Sequence, residues 1–450
     1  MVTTSFVRVL GRREVITLAF GAMIGWSWVL LTGDWLTRAG TLGTLLAFII
    51  GGTAVVFIGL TYAELASAMP LAGGEHVYTQ RAFGRTPSFI CTWALLMGYL
   101  TVPTFEAVAL PTAAEYLFPA MKTGYLWTVG GSDVYVSFVI VGVVSTAVMT
   151  AINIVGIRVA AFIQGVVTTL FFVIGLFFLT GAFSSGSAAN TEPLLIGGAA
   201  GTLGVLMMVP TLLVGFDVIP QSAEEIDLPF QEIGKLLVIS VAFAVLWYLL
   251  VSLGVALALS PELRATSTMA TADATAAAWG GQWAGDLLVI GGIGGILTSW
   301  NAFIVGGSRV LYALGHSGML PPAFADLHPR FRTPWKAVLF IGVLAGIAPL
   351  FGRTILIWLI DAGSFAIVIA YTMVAAAFLL LRAREPDMPR PFRVPAGRTV
   401  GWIALLLSGG LFALYLPWSP SALIWPWEWA MVLGWALLGA VFYRRKPGAG

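Results

Sequence analysis

The chain has 450 residues, 59% of them hydrophobic and only 10% charged, with a formal net charge of +2. Soluble domains carry roughly 25% charged residues, so a chain this apolar cannot hide its side chains from water and is expected in a lipid bilayer. The near-neutral charge gives no basis for nucleic-acid binding, and a single cysteine, Cys91, excludes an internal disulfide framework and any multi-cysteine zinc site.

The first residues, MVTTSFVRVLGRRE, lack a short apolar core with a small-residue cleavage site, so they read as a retained segment rather than a removable signal peptide. Apolar runs of membrane-crossing length follow near 14–36, 42–67, 87–118, 134–153, 158–182 and 202–222. A second set lies near 234–259, 285–315, 336–352, 355–381, 400–418 and 425–443. The runs are long and lack period-two alternation, so strands are not favoured and the expected fold is an all-α integral membrane protein with twelve transmembrane helices. A cytoplasmic N-terminus puts 19 of the 23 lysines and arginines on that side, leaving Arg38, Lys122, Arg264 and Arg353 opposite. That asymmetry favours an even number of spans and two cytoplasmic termini. The expected organisation is a cytoplasmic N-terminus (1–13), a ten-helix core (14–381), a cytoplasmic loop (382–399), two additional helices (400–443) and a cytoplasmic tail (444–450).

Two runs are poor continuous helices. GAMIGWSWVLLTGDW carries Gly21, Gly25 and Gly33; VPTLLVGFDVIPQSAEE carries Pro210, Gly215, Asp217 and Pro220. Proline removes a backbone donor, and unpaired backbone at membrane depth is tolerated only where it lines a cavity. The competing reading is packing: Gly21-x-x-x-Gly25 is also a close-contact motif between helices, and membrane prolines are common kinks. The two runs hold corresponding places, one and six, if the first ten spans form two inverted sets of five. Interrupted helices so placed mark a transporter's binding site.

Six motifs then occur in order. They are GAMIGWSW, TYAELASAMPLAGGEHVYTQRAFG, AINIVGIRVAAFIQ, VGFDVIPQSAEEIDLP, NAFIVGGSRVLYALGHSGMLPPAFADLHPRFRTP and LRAREPDMPRPFRVP. Together they resemble the amino acid–polyamine–organocation permeases over roughly residues 12–398, with the sixth-span motif similar to the cationic amino acid branch. The resemblance implies a LeuT-like 5+5 inverted repeat, with repeats near 14–182 and 202–381, that alternates access to a midplane site. It also implies that a substrate carboxylate would sit on the N–H groups of Gly25, Trp26 and Ser27. The amine would sit on carbonyls near Met23, Ile24, Thr211, Leu212, Leu213 and Val214. Paired hydroxyls at Thr298 and Ser299, with carbonyls near Ala22 and Gly25, resemble the second sodium site of sodium-coupled relatives. A lysine that other relatives carry in span five is replaced by Phe171. Sodium coupling, proton coupling and exchange all stay open, so a coupling ion would be Na+ or H+, and no other cofactor is expected.

The departures from the family pattern are specific. Ser27 replaces a glycine, and no ring precedes Phe216 in the second break. Trp26 and Trp28 are therefore candidates for an aromatic wall that attracts an ammonium group by about 0.5–2 kcal/mol. The competing reading for either ring is packing on lipid or a neighbouring helix, because positions two apart cannot face one pocket on a regular helix. Glu106, three residues after Pro103, has no cation near it in sequence. Intramembrane carboxylates are functional candidates, here for carrying a proton or attracting a cationic substrate. Asp361 carries the same ambiguity. Asp217, Glu224 and Glu225 read as an inner gate with Arg85 or Arg309, Asp34 as a surface partner of Arg38, Glu64 as structural and His76 as loop packing.

An enzyme is disfavoured: His76, His316 and His328 all fall in or beside loops, with no H-E-x-x-H or G-x-S-x-G. A channel would need a repeated filter loop, which is not visible. The expectation is a plasma-membrane secondary transporter of an α-amino acid. A decarboxylated amine of the ethanolamine or polyamine type is the alternative, and a nutrient sensor that binds without transport is the alternative of another class. Oligomeric state is not legible.

Overall fold

The structure, a computed structural model, describes residues 10–155 and 157–443, without the side chains of 157–164. The expected terminal segments 1–9 and 444–450, and the motif side chains of Gly156, Arg158 and Gln164, lie outside the described residues.

The first predicted span is divided. Helix α1 (Arg12–Met23) stops at the glycine-rich stretch, and a single turn, α2 (Ser27–Leu30), follows three non-helical residues. Then α3 (Thr32–Ala68) carries the end of the first predicted span and all of the second, interrupted at Gly40 by φ 74°, ψ 175°. Only glycine adopts those dihedrals without strain, and here the chain turns against the carbonyls of Pro193 and Leu194. A short helix, α4 (Glu75–Phe83), leads into α5 (Arg85–Leu117), which continues through Pro103 and Pro111.

Two short strands, β1 (Tyr125–Val129) and β2 (Ser132–Tyr135), form an antiparallel hairpin in the link between α5 and α6. The signal was present but local. Gly130 and Gly131 both have positive φ, as a two-residue hairpin turn demands, between short β-branched and aromatic runs. Trp127 Nε1 donates to the Leu350 carbonyl at 2.8 Å, which docks the hairpin on the chain before α16.

The remaining helices are α6 (Val136–Val155), α7 (Ile157–Ser185), α8 (Gly198–Leu206), α9 (Val209–Leu212), α10 (Val218–Gln221) and α11 (Phe230–Ala258). They continue as α12 (Pro261–Thr266), α13 (Ala270–Trp279), α14 (Gln282–His316), α15 (Trp335–Ile347), α16 (Ile355–Arg384), α17 (Gly397–Leu414) and α18 (Trp427–Phe442). Among the described residues eight helices are long and apolar enough to cross a membrane: α3, α5, α6, α7 from Gly165, α11, α14, α16 and α17. Shorter apolar helices cover Gly198–Leu212, Trp335–Phe351 and Trp427–Phe442. Loop helices α4, α12 and α13 escaped the sequence reading because they are short, with weak apolar runs.

Burial orders the layers. In α5 and α14, 83% of the most apolar window is buried, against 33% in α6 and 28% in α17. The first two form the centre and the others present apolar rows such as Ile140, Val144, Trp402 and Leu406 outward, as lipid-facing helices do. The run GGIGG (291–295) serves this centre: Gly292 receives the Trp26 indole, and Gly291, Gly294 and Gly295 receive Ile174, Val167 and Phe171 of α7.

Candidate functional site

Helix α1 ends where Ile24 adopts φ −111°, ψ 69°. The last turn closes with Ile24 N–H on the Phe20 carbonyl at 2.9 Å, and the next helical bond runs from Val29 to Trp26 at 3.0 Å. Between them lie Ile24, Gly25 and Trp26, outside both helices. Tyr248 of α11 holds the two sides of this break with one hydroxyl. It donates to the Met23 carbonyl at 3.1 Å and lies 2.9 Å from Ser27 Oγ.

The second break separates α9 from α10. Gly215 has φ 130°, and a Cβ there would lie 2.7 Å from Ala22 Cβ and 2.8 Å from Met23 N. The two breaks therefore abut, backbone to backbone, and only glycine permits that approach with that dihedral. Asp217 Oδ1 accepts from Gly215 N–H at 3.0 Å and stabilises the turn. Thr211 is held by α16: its N–H donates to Ser364 Oγ at 3.2 Å and its hydroxyl to the Ile360 carbonyl at 3.2 Å.

A cavity of about 40 Å³ lies against both breaks. Its walls are Ala22, Met23, Gly25, Trp26 and Ser27 from the first break; Thr211 and Leu212 from the second; Thr101, Val102, Phe105 and Glu106 from α5; and Tyr248, Ser299, Phe303 and Ile360. Such a volume holds a few waters. Glu106 is its single charged side chain and is buried. Ser299 Oγ donates to Glu106 Oε1, and the carboxylate also faces the Trp26 N–H.

Of the residues singled out from sequence, Ala22, Met23, Gly25, Trp26, Ser27, Thr211, Leu212, Ser299 and Glu106 line this cavity. Ile24, Leu213, Val214 and Phe216 are buried but do not line it. Phe216 packs on Tyr62 and Tyr371, with ring centroids at 5.3 and 5.6 Å. The double tryptophan wall is corrected. Trp28, in α2, does not line the cavity and packs edge-on against Phe171 at 5.4 Å and Trp247 at 5.6 Å, whereas Trp26 lies in the non-helical segment before α2. Thr298 donates to the Gly295 carbonyl at 3.0 Å, within its own helix. Tyr248, Thr101, Val102, Phe105, Phe303 and Ile360 were missed. A polar-tipped Tyr248 in an apolar run was the one available signal; the others look like ordinary core.

Acidic residues after the second break converge on the end of the bundle that carries α4. Glu225 and Arg309 form an ion pair at 2.8 Å, each side chain about 3% exposed. Glu224 accepts from Ala72 N–H at 3.1 Å, and Arg85 donates to the Ser317 and Gly318 carbonyls at 2.9 and 2.8 Å. Asp217 stays deeper, near Tyr99. Leu10 adds a backbone clamp, donating to the Glu225 carbonyl at 3.0 Å and accepting from Asp227 at 2.9 Å. Gln221 Nε2 donates to Glu75 Oε2 in the same region, a buried carboxylate that the sequence reading passed over. His76 of α4 is buried against Ser88, and burial and then Arg85 push its imidazole down to about 4. Asp34 pairs with Arg38 at 2.8 Å, and Glu64 with Arg382 and Arg390 at 2.5 and 3.0 Å. Asp361 is buried beside Glu428. Among the described residues no group of three or more His, Cys, Asp or Glu is placed to hold a metal ion.

Comparison with known proteins bears on this arrangement. The family described as "Amino acid permease" matches residues 10–441. The branched-chain amino acid permease BcaP of Bacillus subtilis is 25% identical over 450 residues, covering 98% of this chain and 93% of that protein. The methylthioribose transporter of Bacillus subtilis is 25% identical over 448 residues, again 98% and 93%. Cationic amino acid transporter 4 of Mus musculus is 27% identical over 397 residues, 86% of this chain and 61% of that protein.

Proposed function

The chain belongs to the amino acid permease family, and from that premise we propose that it is a secondary active transporter of a small amine-bearing solute. The family and these relatives are transporters rather than enzymes. In this reading twelve spans form a LeuT-like core of two inverted five-helix repeats with two added helices. The core alternates access across the plasma membrane, with both termini cytoplasmic and Na+ or H+ as the driving ion. The observation that carries it is the abutment of the two helix breaks, Gly215 against Ala22 and Met23, beside a cavity that both breaks line. Broken helices at a shared site are how transporters expose backbone polar groups to a solute at membrane depth. The Glu225–Arg309 pair and the Leu10 clamp then close the cytoplasmic end.

Amino acids are the substrate class in two of the relatives' names and stand first in a panel. A decarboxylated amine is the second reading, and one observation favours it: the single charged side chain in the cavity is a carboxylate. The test is counterflow in proteoliposomes loaded with amino acids and amines in turn. Gly25→Leu is the blocking control, because a Cβ there meets Glu106 Oε1 at 2.8 Å. Exchange that Gly25→Leu abolishes supports the site. Exchange unaffected by Gly25→Leu moves the site elsewhere, and specific binding without any exchange turns the reading into a sensor.

A further inference from the structure

We propose that Glu106 is the counter-ion for the solute's ammonium group, and that its carboxylate fills the anion position of the α1–α2 break. The site therefore selects amines that carry no carboxylate of their own. This rests on the transporter reading above and narrows its substrate class.

Backbone N–H groups released where a helix opens attract an anion. Here the anion is already part of the protein. Glu106 comes from α5, its Oε1 lies 2.8 Å from where a Gly25 Cβ would be, and its carboxylate faces the Trp26 N–H. Ser299 secures it from α14. Three elements thus converge to hold one side-chain carboxylate at the place where a ligand's carboxylate would otherwise meet the backbone.

What remains open to a ligand is negative. Glu106 Oε2 is buried and has no hydrogen-bond partner. The cavity walls contain no lysine, arginine or histidine. A buried carboxylate without a cation is costly, and an ammonium donor from the ligand supplies the missing partner. Phe105, Trp26, Phe303 and Tyr248 line the same small space, and aromatic faces favour ammonium over a neutral or anionic group. An α-amino acid zwitterion fits less well. Its carboxylate would find the amide position taken, a like charge in it and no basic side chain in reach.

The experiment compares matched pairs in proteoliposome counterflow: ethanolamine with serine, and putrescine with ornithine. Wild type is expected to exchange at least one amine at least about tenfold faster than its amino acid partner, and Glu106→Gln to lower that exchange by at least about tenfold. Glu106→Asp, which keeps the charge, is expected to retain part of it. If Glu106→Gln does not fold, calorimetric binding of the same four solutes to wild type ranks them without any variant. Exchange of serine or ornithine with neither amine carried overturns the inference and leaves the transporter reading standing. So does amine exchange indifferent to Glu106→Gln. Failure to exchange any solute of the wider amino acid and amine panel removes both.

Discussion

Removing the carboxylate of Glu225 is the sharpest perturbation available at the closed end of the bundle. Glu225 and Arg309 lie 2.8 Å apart and are each about 3% exposed. At an effective dielectric of about 20 their attraction is on the order of 6 kcal/mol, much of it offset by the desolvation of two ions. Truncating one partner relieves only its own desolvation and leaves the other ion buried without compensation. Glu225→Ala leaves Arg309 buried with its carboxylate gone, a change that costs about 3–5 kcal/mol. Replacing both residues by methionine removes both charges together and costs far less, because neither ion then has to be stripped of water. The assay is a double-mutant cycle on unfolding free energy in detergent, with Glu225→Met, Arg309→Met and the double variant. A favourable coupling of about 3 kcal/mol is expected. Additive single effects, or a Glu225→Ala cost below about 1 kcal/mol, would refute the reasoning. A second readout follows from the proposed mechanism. Both single variants weaken the seal, so thiol labelling of a cysteine placed at Thr101 should speed up from the end that carries α4.

Tyr248→Phe keeps the ring and removes a hydroxyl shared by Met23 O and Ser27 Oγ, leaving two buried polar atoms short of a partner. A loss of about 1–3 kcal/mol in unfolding free energy is expected, and a variant as stable as wild type would show that this hydroxyl does not brace the break. His76 has its folded pKa lowered from 6.5 to about 4. The unfolded chain therefore binds a proton that the folded chain refuses between those values. Stability from this group is complete above pH 6.5 and falls by up to about 3 kcal/mol as pH drops to about 4. His76→Gln should flatten that part of the stability profile, and an unchanged slope would contradict the assignment. Arg81 and Glu385 pair at 2.6 Å with side chains 49% and 32% exposed, so Arg81→Ala should cost less than about 1 kcal/mol and nothing measurable at high salt. A larger loss in thermal stability would mean that the contact is better shielded than its exposure indicates.

The helices were legible because lipid imposes one dominant pattern, an apolar run of about 20 residues, and the predicted runs fall on helices, the first and sixth each on several. The breaks were legible because Gly25 and the Pro210–Gly215–Pro220 series are poor helix formers in sequence alone. Glu106 stood out as a lone acid in an apolar run. What could not be read was direction. Trp26 and Trp28 are equivalent in sequence, yet one lines the cavity and the other packs among Phe171 and Trp247, because α2 resumes regular geometry at Ser27. Tyr248 joins Met23 to Ser27 across more than 200 residues, and no local pattern encodes that contact. Glu75, the first residue of α4, carried no sequence signal, and only the fold brings Gln221 of α10 onto it.

The turn at Gly40 has a mechanical consequence. Thr41 and Leu42 donate to the carbonyls of Pro193 and Leu194, and Ile196 donates back to the Ala39 carbonyl. Those three bonds act as a tie-rod. They fasten the turn inside α3 to the chain just before α8. In the proposed transport cycle, a movement of one segment would be passed to the other through these bonds, which join positions some 150 residues apart in sequence. In that cycle the two segments would move as a linked pair.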